Sequence, residues 1–166
     1  MTSAHDAQRA LVYEAEGVLA GLIDRREEFP LAQAFGSRVA VPDDRKFGDI
    51  ASVQRYVDAV LALDWVRSRW AEAAARPVRV RARRAALRAH YEVENRTIAV
   101  PTHRVGGGWA MRELVVLHEL AHHLAGGTIH GPRFVATMLA LVEGLIGAEA
   151  GFLLRASLQD AGVRVA

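Results

Sequence analysis

Apolar residues recur along this chain with two periods, and the change from one to the other separates helical stretches from strands. From about Ala7 to Arg25, Leu11, Val12, Ala15, Val18, Leu19 and Leu22 fall at helical spacing. Phe29-Pro30 and Gly36 then mark a loop, and Pro42-Asp43-Asp44 a turn. A second helix begins around Asp49, with Ile50, Val53, Val57, Val60 and Leu61 on one face. It continues or restarts through Trp65 and Trp70 before Pro77, and both tryptophans read as core anchors.

From Val78 the period becomes two: Val78, Val80 and Ala82 alternate with Arg79, Arg81 and Arg83. Ala89 to Val93 is a second candidate strand, Glu94-Asn95-Arg96 a turn, and Thr97 to Val100 a third strand ending at Pro101. Gly106-Gly107-Gly108 reads as a flexible joint. It lacks the Gly-x-Gly-x-x-Gly spacing of a phosphate-binding turn. Helical spacing returns in WAMRELVVLHELAHHL, Trp109 to Leu124, through Leu114, Leu117, Ala121 and Leu124. Gly126-Gly127 ends that helix, because glycine tolerates the positive φ of a C-cap. Pro132 opens another, which runs through Phe134, Met138, Leu141, Val142 and Leu145. The expected fold is α+β: a small, largely antiparallel sheet packed on the 109–124 helix, with additional N- and C-terminal helices. At 166 residues, a single domain over residues 1–166 is expected, long enough to bury a core.

Chemistry concentrates in His118-Glu119-Leu120-Ala121-His122. Residues four apart share a helix face, so His118 and His122 can present imidazole nitrogens to one metal ion. Zinc suits such ligands, and a catalytic zinc keeps one position for water. Glu119 is placed to take a proton from that water as general base. A third ligand is needed, and His130 sits in the turn after the helix. His122 lies about one turn before the helix end, a gap of about 5–6 Å along the axis that an imidazole in the returning turn can cover. Glu143 is the rival, since some zinc enzymes use two histidines and a glutamate. It lies roughly 20 Å further along a helix and would overshoot a tight antiparallel pair. His123 points about 100° away from His122 and reads as a packing or ligand-supporting histidine. Tyr91, His90, His103 and Arg133 are candidate donors to a developing oxyanion. Glu113 and Glu143 are candidate carboxylates for orienting the ligating histidines.

The pattern HELAHH, a short glycine-containing spacer and then HGPRF resembles the SprT-like zinc metallopeptidases and their small minigluzincin-type relatives. That resemblance covers Glu113 to Phe134. It implies a zincin-like domain in which His118, His122 and His130 are zinc ligands and Glu119 is the catalytic base. Over a longer span, AQRALVYEAE, RPVRVRARR, AHYEVENRTIAVP and WAMRELVVLHELAHHL look like a small actinobacterial family of metallohydrolases whose substrate is undefined. One departure from the larger SprT-like proteins is the absence of cysteine, which removes any cysteine-based extra zinc module.

Composition narrows the reading further. Without cysteine there are no disulfides, thiolate ligands or cysteine nucleophiles, which fits a cytoplasmic protein. The first residues, MTSAHDAQRALVYEAEG, have no basic stretch followed by an apolar core, so no signal peptide is expected. No apolar run approaches the roughly 20 residues of a bilayer span, and no membrane partner is expected. Arg76, Arg79, Arg81, Arg83, Arg84 and Arg88 invite a DNA-binding reading. The simpler account, and the favoured one, is the solvated face of an edge strand. The expected function is therefore that of a Zn2+-dependent metallohydrolase, a metallopeptidase acting on a peptide or protein substrate. The alternative is a zinc-containing DNA-associated or regulatory binding protein with little or no catalysis.

Overall fold

In the computed structural model, residues 6–84, 88–105 and 108–165 are described. In chain order the elements begin α1 (Arg9–Asp24), β1 (Leu31–Ala34), β2 (Ser37–Ala40), α2 (Ile50–Ala62), α3 (Asp64–Arg69) and α4 (Ala71–Ala74). They continue β3 (Arg79–Arg83), β4 (His90–Glu92), β5 (Thr97–Pro101), β6 (Arg104–Val105) and β7 (Gly108–Trp109). Three helices close the series: α5 (Glu113–Ala125), α6 (Pro132–Leu145) and α7 (Ala148–Asp160). The fold is α+β. It divides into two compact units, one made of residues 1–44 and 129–166, the other of residues 45–128.

In the first unit α7 packs against α1 and α6, and also touches β1. Val12, Ala15, Leu19 and Ile23 supply the buried apolar stripe of α1; of the positions read from the sequence, Val12, Ala15 and Leu19 are buried, Leu11 and Leu22 half-buried and Val18 exposed. The segment expected to be a loop is instead a hairpin: Leu31 to Ala34 pair antiparallel with Ser37 to Ala40. Phe35 (φ 49°) and Gly36 (φ 76°) turn it, both in the left-handed region that a two-residue hairpin connection requires. Its residues are exposed or half-buried, so no clear alternation marks it in the sequence. The ring of Phe35 meets Phe152 of α7 edge-on at 5.2 Å. Residues 41–45 run on without the turn expected at Pro42-Asp43-Asp44.

The second unit holds the two longest strands, β3 and β5. Asp49 caps α2 by accepting from the Ser52 amide at 2.7 Å, while Ser52 Oγ accepts from the Asp49 amide. The sheet β3-β5-β4 is mixed. This corrects the expectation of a largely antiparallel sheet, because the longest pairing, β3 with β5 from Arg79↔Thr97 to Arg83↔Pro101, is parallel. Only β4 runs antiparallel to β5, across the Glu94–Arg96 turn. The reason lies in burial: every residue of β5 is buried, so β5 takes the centre, and β3 with its exposed Arg79 and Arg81 takes an edge. Helix α5 contacts β4, β5, α2 and α4.

Two further expectations shift. The 109–124 helix begins only at Glu113, because Trp109 belongs to β7 and residues 111–113 are drawn alongside residues 45–47. Phe47 donates its amide to the Met111 carbonyl at 2.8 Å, and Glu113 donates its own to the Arg45 carbonyl at 2.8 Å. The tryptophans are not core anchors: Trp65 is 36% exposed and Trp70 half-buried, and between them only Val66 is buried. Their rings meet each other edge-on at 6.1 Å. Of the glycine joint, Gly106 and Gly107 lie outside the described residues, and Gly108 opens β7.

Candidate metal centre

Helix α5 is buried along almost its whole length, which its apolar residues on more than one side dictate. His118, Glu119, His122 and His123 are buried with it. The helix stops at Gly126, whose φ of 78° gives the left-handed C-cap, and the Gly126 and Gly127 amides both donate to the His122 carbonyl. The chain then turns through His130 to Gly131, and Pro132 occupies the first turn of α6 as the sequence predicts.

His118, His122 and His130 each offer a ring nitrogen, and the three atoms lie within 4.8 Å of one another. No other such group occurs among the described residues. All three histidines are buried, at 2, 5 and 3% exposure, so their polar atoms need partners inside the protein. The tautomers of two follow from the chemistry of those partners. His122 Nδ1 lies 3.0 Å from the Gly127 carbonyl, which can only accept, so Nδ1 carries the proton and Nε2 the lone pair. His130 Nδ1 lies 2.6 Å from Asp6 Oδ2, and the same reasoning assigns its lone pair to Nε2. The rings of His118 and His122 stand 5.0 Å apart and tilted by 71°. Three buried imidazoles, two with the outer nitrogen engaged by an oxygen acceptor, fit a borderline-soft divalent cation such as zinc.

Glu143 does not join the group. It is exposed on α6, and its backbone and Cβ lie against Gly151 of α7. Nor does Glu113 orient a ligand: its carboxylate accepts from the Arg45 amide at 3.0 Å, the Arg45 guanidinium at 2.7 Å and the Tyr56 hydroxyl. It pins the first turn of α5 to the segment before α2. Burial, and then the hydrogen bond and charge of Glu113, push the Tyr56 phenol well above its ordinary pKa.

His123 is a packing histidine. Its Nε2 donates to the Ala73 carbonyl at 2.7 Å, so its Nδ1 accepts from the Tyr91 hydroxyl at 2.8 Å. Burial lowers the His123 pKa and raises that of Tyr91, because both charged forms would lose water. The Tyr91 hydroxyl is thus committed to His123. His90 lies beside Glu92 at 3.3 Å, and His103 and Arg133 are exposed. Among the arginines of β3, Arg81 pairs with Glu92 and Arg83 donates to the Arg88 carbonyl.

The partner of a candidate ligand that sequence reasoning missed is Asp6. It accepts both the ring Nδ1–H and the backbone amide of a residue 124 positions away, a partnership without any local sequence signal. No helix among the described residues is long and apolar enough to cross a membrane. No protein-family model, curated protein or solved structure matches this chain.

Proposed function

We propose that this chain is a zinc-dependent metallohydrolase of zincin-like type, and that its reaction is peptide-bond hydrolysis. The observation that carries this reading is the buried group His118, His122 and His130, with three ring nitrogens within 4.8 Å. Glu119, which follows His118 in the chain, is buried as well. The packing of α5 on β4 and β5 supports the zincin-like assignment. So does the resemblance of HELAHH and HGPRF to the SprT-like and minigluzincin-type peptidases.

His118, His122 and His130 would hold the metal. A zinc ion there would supply Lewis acidity toward a carbonyl and lower the pKa of water. Glu119 would accept the proton that the attacking water gives up and deliver it to the departing amine. The hydrogen bonds at Nδ1 of His122 and His130 hold both rings with Nε2 as the donor atom. The arginines of β3 are read as the solvated face of an edge strand, where Arg81 pairs with Glu92 and Arg83 donates to the Arg88 carbonyl.

The test is metal content by plasma mass spectrometry, followed by a peptide-library assay. Wild type should carry one zinc per chain and His130→Ala should lose most of it. Glu119→Gln should keep the metal and lose roughly 10²–10⁴-fold in turnover, the range for removal of a general base. Full zinc retention in His130→Ala, or unchanged turnover in Glu119→Gln, would overturn the reading.

A further inference from the structure

We propose that Asp6 and Gln8 are positioning residues for the third ligand, so that docking of residues 6–8 and binding of the metal are thermodynamically coupled. This rests on the metal-site reading above and adds a part of the chain that the motif does not contain.

His130 has three polar groups besides Nε2: its amide, its carbonyl and its Nδ1–H. Residues 6–8 meet all three. The His130 amide donates to Asp6 Oδ1 at 3.1 Å and Oδ2 at 3.2 Å. Its Nδ1–H donates to Asp6 Oδ2 at 2.6 Å, and its carbonyl accepts from Gln8 Nε2 at 2.9 Å. The side chain of Asp6 is itself only 20% exposed, which keeps water from competing strongly for the carboxylate. Ring contacts add to the hold, with Tyr13 at 5.4 Å and Phe134 at 4.7 Å from the imidazole.

The hold extends beyond the turn. Gln8 is the N-cap residue of α1, and its Oε1 accepts from the Arg164 amide at 3.1 Å. One side chain therefore links the start of α1, the ligand turn and the segment after α7. Without Asp6, the His130 amide and Nδ1–H would both lose the carboxylate that accepts from them. A carboxylate on the outer nitrogen fixes tautomer and ring direction and makes the other nitrogen a better donor, and losing such a partner weakens metal binding by about 10–100-fold. Because coupling is reciprocal, a metal that needs this His130 orientation must also favour the docked state of residues 6–8.

The experiment is competition of the full chain against a chromophoric zinc chelator, for wild type, Asp6→Ala, Asp6→Asn, Gln8→Ala and His130→Ala. It is paired with amide hydrogen exchange with and without zinc. Asp6→Ala should weaken zinc binding by about 10–100-fold. Asp6→Asn, which keeps one acceptor but not the charge, should fall between it and wild type. In wild type, zinc should slow exchange at the His130 and Arg164 amides; in Asp6→Ala the Arg164 response should shrink. A purely structural role would lower the stability of the zinc-free protein without moving zinc affinity or the zinc-dependent exchange. Zinc affinity within twofold of wild type in both Asp6 variants, while His130→Ala has lost the metal, would overturn the proposal and leave the metal site standing. Absence of zinc from wild type would instead remove the metal-site reading and this inference with it. Should Asp6→Ala fail to fold, Asp6→Asn and Gln8→Ala decide, with wild-type affinity in both as the overturning result.

Discussion

Tyr56→Phe removes one hydrogen-bond donor from a buried carboxylate while leaving the aromatic ring in place. Glu113 is 1% exposed and accepts from the Arg45 amide, the Arg45 guanidinium and the Tyr56 hydroxyl. The ring contact of Tyr56 with Phe47, 5.1 Å between centroids, does not depend on the hydroxyl. A hydrogen bond to a charged group contributes about 1.5–3 kcal/mol, and that is the expected cost. For a chain of this size each kcal/mol moves the melting midpoint by about 2–4 °C, so a drop of about 3–12 °C follows. Arg45→Ala is the comparison. Its side chain is 62% exposed, so solvent screens the pair, and the Arg45 amide still donates after truncation. An exposed pair contributes about 0–1 kcal/mol, which makes Arg45→Ala the milder change.

The same geometry sets an alkaline dependence. Burial, then Glu113, raises the Tyr56 pKa, so the folded chain keeps a proton that the unfolded phenol releases near pH ~10. Above that point the folded state binds more protons than the unfolded one. Stability therefore falls as pH rises, by up to about 1.4 kcal/mol per unit for this group, and the contribution is fully present below it. Tyr56→Phe should remove that part of the slope and leave the part due to Tyr91, which burial also shifts upward. The assay is urea unfolding with a chelator present, near neutral pH and again above the phenol range. A larger loss for Arg45→Ala than for Tyr56→Phe, or an alkaline slope unchanged by Tyr56→Phe, would refute this reasoning.

What the sequence makes legible depends on how local each feature is. His118 and His122 meet because four residues is one helical turn, and His130 is readable because Gly126 and Pro132 bracket a short turn. Asp6 is not readable, because nothing local in its surroundings refers to a turn 124 residues away. Alternation identifies the strand and holds from Val78 to Arg81, but fails at its end, where Ala82 is exposed and Arg83 half-buried. It also carries no pairing direction, so the parallel partnership with β5 appears only in three dimensions. The Leu31–Ala40 hairpin escapes for another reason: neither strand has a buried face, so no period-two signal is required of it. Trp65 misleads by its size, since the buried position on that short helix is the adjacent Val66. The apolar pattern overextends the start of α5, because Trp109 pairs with Arg104 in a strand and residues 111–113 pair with residues 45–47.

Two further outcomes follow from the contact between α6 and α7. Glu143→Ala should leave zinc per chain unchanged by mass spectrometry, because Glu143 is exposed and turned toward Gly151; loss of metal would return it to the ligand set. A Cβ added at Gly151 would stand 2.8 Å from Glu143 Cβ and 3.2 Å from its Cα, whereas one added at Gly17 in α1 meets nothing within 4 Å. Both glycines lie within helices, where alanine is favoured by about 1 kcal/mol, but overpacking costs about 1–3 kcal/mol. Gly17→Ala should therefore raise the unfolding midpoint in urea, and Gly151→Ala should fail to raise it or lower it by a net of up to about 2 kcal/mol. Because the propensity term is common to the two substitutions, their difference isolates the close approach of the helices. Equal stabilisation by both would mean that α6 and α7 are not in contact at Gly151, and the placement of Glu143 that excludes it from the metal would lose its support.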